Sequence, residues 1–258
     1  MAAAENQFDF PTEVLSLPSK GLLYPEDSPL RSGTIDVKYM TAKEEDILTS
    51  TNLIEKGVVI DRLLESVIVN DKIKVEDLLI GDKNAIMVGT RVLGYGKEYP
   101  VQITDPDTGK TIESAVDLTT LEHKKFNEKV FTNENKFEFT LPNSKRVIEF
   151  KLLTHKDELE IEEKLKGYDK VEELTGVRNE LTIRLKHQIL SVDGSTDGKS
   201  ISDFVDNAFL ALDTREFRKY VTSIQPDIDL SINYTSETGK EHKIPIALGI
   251  DFFWPAGD

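Results

Sequence analysis

Tyr39-Met40-Thr41-Ala42-Lys43-Glu44-Glu45 and Leu152-Leu153-Thr154-His155-Lys156-Asp157-Glu158 open the same kind of structure in the two halves of this chain. In each, an extended stretch runs into a threonine, and an acid follows three residues later. That is capping-box spacing: the threonine oxygen accepts from an early helix amide while the acid reaches back to the threonine. Asp157 is the shorter partner, but either acid also suits the positive end of a helix. Ahead of the first box, Thr34-Ile35-Asp36-Val37-Lys38-Tyr39 alternates as a strand does.

The order beyond each box repeats. Ile60, Leu63, Leu64, Val67 and Ile68 form the stripe of a core-facing helix, and Ile183, Leu190 and Val192 align with Ile60, Val67 and Val69. Short helices are expected near 74–80 and 202–210. Asp82 and Asp213 then read as N-caps of a further helix, in which Ile86 and Leu93 align with Phe217 and Ile224. Each half ends in a hairpin. Tyr99, Val101 and Ile103 precede the turn Asp105-Pro106-Asp107-Thr108-Gly109-Lys110, and Ile112, Val116 and Leu118 follow it. Ile228, Leu230, Ile232 and Tyr234 precede Thr238-Gly239-Lys240, and Ile244, Ile246 and Leu248 follow. The offset between matched positions grows at 167–177 and 193–200, as loop insertions would make it. The expected fold class is α+β. Two similar strand–helices–hairpin units, at 34–125 and 126–258, would derive from an internal duplication and follow an extended arm at 1–33.

In that arm Pro11, Pro18, Pro25 and Pro29 each remove a backbone donor and restrict the preceding residue. Leu15, Leu17, Leu22, Leu23 and Tyr24 are spaced among them as a candidate protein interface. The arm is expected to dock on a partner through its leucines, and its removal to spare the fold. At the other end, Phe252, Phe253 and the lone Trp254 either fold back over the last hairpin as core or form a docking plug, since exposed aromatics anchor interfaces.

Forty-seven acidic and 32 basic residues leave a formal charge of −15, shared between the halves. Binding nucleic acid needs a concentrated basic face, so that partner class is disfavoured, as is an anionic membrane surface. The chain has no cysteine, which excludes disulfides, thiol nucleophiles and cysteine-ligated zinc. No apolar run approaches the ~20 residues of a membrane helix, and the opening lacks the pattern of a secretory signal.

Motifs for chemistry fall short of their patterns. Gly94-Tyr95-Gly96 lacks GxGxxG and reads as a turn leaving a helix. Asp193-Gly194-Ser195-Thr196-Asp197-Gly198 lacks the twelve-residue calcium pattern and reads as a loop. His123, His155, His187 and His242 form no HExxH pair, and no serine stands in a GxSxG elbow. The acids after each box could do acid–base work or hold a metal, but capping accounts for them. No catalytic residue, metal ligand or cofactor is therefore assigned.

Phe10-Pro11-Thr12-Glu13-Val14, Leu17-Pro18-Ser19-Lys20-Gly21-Leu22-Leu23-Tyr24-Pro25 and Tyr39-Met40-Thr41-Ala42-Lys43-Glu44-Glu45-Asp46-Ile47-Leu48 resemble the opening of baseplate hub and hub-assembly proteins of T4-like contractile-tailed bacteriophages. The ending Phe252-Phe253-Trp254-Pro255 is similar too. Related tail proteins carry a CxxC-like pair at the last hairpin turn. Here that turn is Thr235-Ser236-Glu237-Thr238-Gly239, without cysteine. The resemblance implies a non-enzymatic late tail protein, made in the host cytoplasm, that helps build the baseplate hub by docking on other tail proteins. It would be either a virion subunit or an assembly factor. Alternatives are a transient chaperone, for the tape measure protein for example, and, more remotely, a cell-wall hydrolase of the hub. No catalytic residue comes with the resemblance.

Overall fold

The computed structural model describes residues 11–132, 134–168, 176 and 178–253. They form an α+β fold of helices and four small antiparallel sheets. In the first half, β1 (Thr12–Ser16) pairs with β2 (Thr34–Lys38). There follow α1 (Ala42–Leu48), α2 (Thr51–Glu55), α3 (Val59–Val67), α4 (Ile80–Tyr95) and the hairpin of β3 (Glu98–Thr104) and β4 (Thr111–Asp117). In the second half β5 (Phe137–Thr140), β6 (Val147–Phe150) and β7 (Ile189–Val192) form one sheet in that order. The helices are α5 (His155–Gly167), α6 (Glu180–Gln188), α7 (Gly198–Asn207) and α8 (Ala211–Ile224), and the hairpin is β8 (Ser231–Thr235) with β9 (Glu241–Pro245).

Both boxes form. The Thr41 N–H donates to Glu44 Oε2 at 2.9 Å and the Thr154 N–H to Asp157 Oδ2 at 2.9 Å. Each acid also pairs with the lysine that ends the preceding extended stretch: Lys38 with Glu44 at 3.1 Å, Lys151 with Asp157 at 2.6 Å. Glu44 is fully buried. Burial alone would raise its carboxyl, yet donors from Ser66, Thr41 and Lys38 hold it at about 2.

Several local expectations are corrected. Leu190 and Val192 are not on a helix: α6 ends at Gln188, and the alternating, β-branched run after it adds a third strand to β5 and β6. The region near 74–80 holds only a 3-10 turn at Val75–Asp77, and the helix expected at 202–210 starts earlier, at Gly198. Asp82 and Asp213 are not N-caps. Leu79 and Leu210 occupy those positions, and both acids lie in the first helical turn. The helix dipole favours them there equally, and each carboxylate serves a neighbouring loop that needs an acceptor.

Residues 17–33 are part of the body. Leu17, Leu23, Tyr24 and Leu30 join one hydrophobic cluster that extends through both halves to Phe252 and Phe253. In the second half Phe150 meets Phe217 edge-on at 5.0 Å, and Phe139 stacks on Tyr220 at 4.7 Å. The halves also touch through backbone. Leu79 bridges Thr154, the His155 N–H donates to the Leu78 carbonyl at 2.8 Å, and Gly81 packs so closely on the Pro226 carbonyl that a Cβ would stand 2.0 Å from it.

Candidate protein interface

Of the eight side chains read as an interface, five are buried: Leu17, Leu23, Tyr24, Phe252 and Phe253. Leu15 and Leu22 are half-buried, and Trp254 lies outside the described residues. The proline-rich segment thus docks on its own chain, which corrects the expectation of leucines held out to a partner. Asp82 fastens it. The Ser19 N–H and Oγ donate to its two oxygens at 2.9 and 2.6 Å, and the Tyr24 hydroxyl donates at 2.7 Å. The same hydroxyl accepts from the Leu79 N–H at 2.9 Å. Burial pushes the Asp82 carboxyl up in spite of these donors, and pushes the Tyr24 hydroxyl well up, with the charge of Asp82 adding to it.

Asp213 does the matching task in the second half, accepting from the backbone N–H groups of Asn143 and Ser144 at 2.7 and 2.9 Å. Burial opposes its ionisation, but those amides hold it at about 2. Each loop also turns through a lysine of positive φ, Lys20 at 54° and Lys145 at 60°.

Phe252 and Phe253 are core. Phe252 packs on Tyr99 at 5.0 Å and on Phe253 at 5.5 Å. The buried Arg91 guanidinium donates to the Phe252 carbonyl at 3.1 Å and lies over Tyr95.

The two Thr-Gly-Lys turns, far apart in sequence, meet in space. Asp105 Oδ2 accepts from the Tyr234 hydroxyl at 2.9 Å and from the Glu237 N–H at 3.1 Å. Asp107 Oδ2 accepts from the hydroxyls of Ser236 and Thr238 at 2.8 and 2.5 Å, with His242 Nε2 at 3.3 Å. Lys110 pairs with Glu237 across the junction at 2.8 Å. Burial works against the Asp105 carboxylate, but its amide and phenol donors hold it at about 2. The Thr238 and Ser236 hydroxyls hold Asp107 lower still. Hydroxyl, amide and ammonium donors thus join the hairpin tips.

A cleft of about 490 Å³ opens beside the contact of α3 with α5. At its base Asp61 takes His155 Nε2 at 2.7 Å and Lys83 Nζ at 2.8 Å. Burial opposes the Asp61 charge, but these two partners outweigh it and keep its carboxyl low. Burial also depresses Lys83. On the other side of α5, Asp157, Glu160 and His187 bring ligand atoms within 4.8 Å of one another. Asp157 is already committed to its box and to Lys151, and His187 Nε2 lies 2.8 Å from Lys164 Nζ. Among the described residues, no helix is long and apolar enough to cross a membrane.

Sequence reasoning missed the hairpin junction, the Asp61 cluster and the apolar side chains that are exposed. Val14, Leu210 and Leu212 are each at least half exposed. A usable signal existed for Leu210, which stands at the start of α8 where the first half has the buried Leu79.

Comparison with the curated proteins and with the solved structures returns no match. The family described as "T4 bacteriophage base plate protein" matches residues 16–254, nearly the whole chain and everything described above from β2 to Phe253. The chain belongs to that family of phage baseplate proteins.

Proposed function

We propose that the chain is a non-enzymatic component in building the baseplate hub, a subunit or an assembly factor, that works by docking on other tail proteins. The observation that carries this reading is the use made of its carboxylates. Glu44 and Asp157 hold helix starts, Asp82 and Asp213 hold loops, and Asp105 and Asp107 hold the hairpin tips. Acids so engaged serve to make a rigid body, which suits a part that fits between others. The net charge of −15 favours basic partner surfaces. The chain would act in the host cytoplasm during tail assembly, and as a subunit would remain in the tail.

Mass spectrometry of purified virions and of infected-cell lysate tests the reading. A fixed, small copy number in particles supports a hub subunit. Abundance in lysate with absence from particles supports an assembly factor or chaperone. Normal baseplates formed when the protein is depleted would overturn both.

A further inference from the structure

We propose that the chain docks head to tail on a second copy of itself, the turn at 209–212 of one copy receiving the start of α1 of the next. The template is the contact between the halves. In the first half the turn before α4 is sealed: Leu78 and Leu79 are 0% and 4% exposed, Leu79 bridges Thr154, and the His155 N–H donates to the Leu78 carbonyl. The turn before α8 is built alike. Leu79 and Leu210 both stand at the N-cap, their carbonyls accept from Lys83 and Thr214 at 2.9 Å, and a buried aspartate follows in each first turn. Yet Leu210, the counterpart of Leu79, is 50% exposed among the described residues, while Phe209, the counterpart of Leu78, is half-buried against Phe204 and Phe217.

Among the described residues, the matching plug is uncovered at the other end. Thr41-Ala42 opens α1 with the same capping box as Thr154-His155 opens α5, and Ala42 is exposed. Among the described residues, the Ala42 N–H and the Phe209 carbonyl enter no hydrogen bond, whereas their counterparts, the His155 N–H and the Leu78 carbonyl, bond to each other. Among the described residues, one chain thus carries an unfilled socket and an unused plug. Because the two patches differ, the contact is heterologous and builds a ring where the rotation closes and an open filament where it does not. A contact made by one turn and one helix start is small and falls in the size class of transient interfaces. It stands without the hub reading, since both faces belong to this chain.

Sedimentation of the purified full chain from about 1 µM to about 500 µM, the range of weak contacts, tests it. The mass of the wild type is expected to rise with concentration. Leu210→Asp and Ala42→Glu are each expected to lower association about tenfold or more, as loss of a central contact does. An equimolar mixture of the two variants is expected to form a dimer that grows no further, because one intact socket and one intact plug remain. As a second readout, Leu210→Cys and Ala42→Cys in separate copies of this cysteine-free chain are expected to form a mixed disulfide. A wild type that stays monomeric, association indifferent to Leu210→Asp, a variant mixture that stays monomeric, or no mixed disulfide would each overturn the proposal. A monomer that instead binds another tail protein through Leu210 would transfer the socket to that partner.

Discussion

Tyr24→Phe removes one oxygen and should cost the fold a large part of its stability. The hydroxyl sits between two buried groups, donating to Asp82 at 2.7 Å and accepting from the Leu79 N–H at 2.9 Å. Phenylalanine fills the space, so no cavity term enters. A buried N–H left without a partner costs about 1–3 kcal/mol, and a hydrogen bond to a charged group contributes about 1.5–3 kcal/mol. Some relaxation is expected, so the predicted loss is about 3 kcal/mol. At about 2–4 °C per kcal/mol for a chain of this size, the melting temperature should fall by about 6–12 °C. Urea unfolding and a thermal melt read this directly. Tyr39→Phe is the control: its hydroxyl meets Glu13 at 3.2 Å on the surface, and its loss should stay within about 0.5 kcal/mol. A Tyr24→Phe protein within about 1 kcal/mol of wild type would refute the claim that residues 17–33 belong to the folding unit. The same logic reverses the truncation outcome expected from sequence. Deleting residues 1–30 strips Leu17, Leu23, Tyr24 and Leu30 from the core and leaves Asp82 without Ser19, so cooperative unfolding should be lost.

Two further outcomes follow from single positions. Glu44 titrates at about 2 in the fold against an ordinary 4.5, so its ionisation stabilises the native state. That contribution is complete above about 4.5 and is lost as pH falls towards 2. Glu44→Gln should therefore be less stable at neutral pH and show a flatter stability profile across that window in urea titrations; a profile parallel to wild type would remove Glu44 from the account. Gly81→Ala would place a Cβ 2.0 Å from the Pro226 carbonyl and 2.7 Å from Asp227 Cα, both backbone atoms that cannot swing aside. Overpacking of this kind costs about 1–3 kcal/mol, and an unchanged urea midpoint would contradict the close contact between the halves.

Local chemistry was legible where it was decided by neighbours in sequence. The two boxes at Thr41 and Thr154, the α3 stripe as far as Val67 and both hairpins needed only three-to-eight-residue spacing and turn composition, and formed; Ile68, expected on the stripe, is the extended residue that ends α3. The strand at Ile189–Val192 was missed because a short apolar run after a helix fits either continuation; pairing with β6 decided it. Asp82 and Asp213 were assigned to the right helices but the wrong task, since a first-turn acid looks like a cap until the loops that need it come into view.

What the sequence alone determined about this protein is its α+β class, its capping boxes and hairpins, and the motifs that tie it to phage baseplate proteins. Each is written in local periodicity or in runs of adjacent residues. What only the tertiary structure decided is which apolar side chains are spent inside. Leu17, Leu23 and Phe253 carry the same hydrophobicity as Leu210 and Leu212, yet the first three are sealed and the last two face water. Burial belongs to a pair of surfaces, and the second surface lies many residues away along the chain. The meeting of Asp105 and Asp107 with Ser236 and Thr238 is of the same kind: two polar turns become one junction only because the cores beneath them bring their tips together.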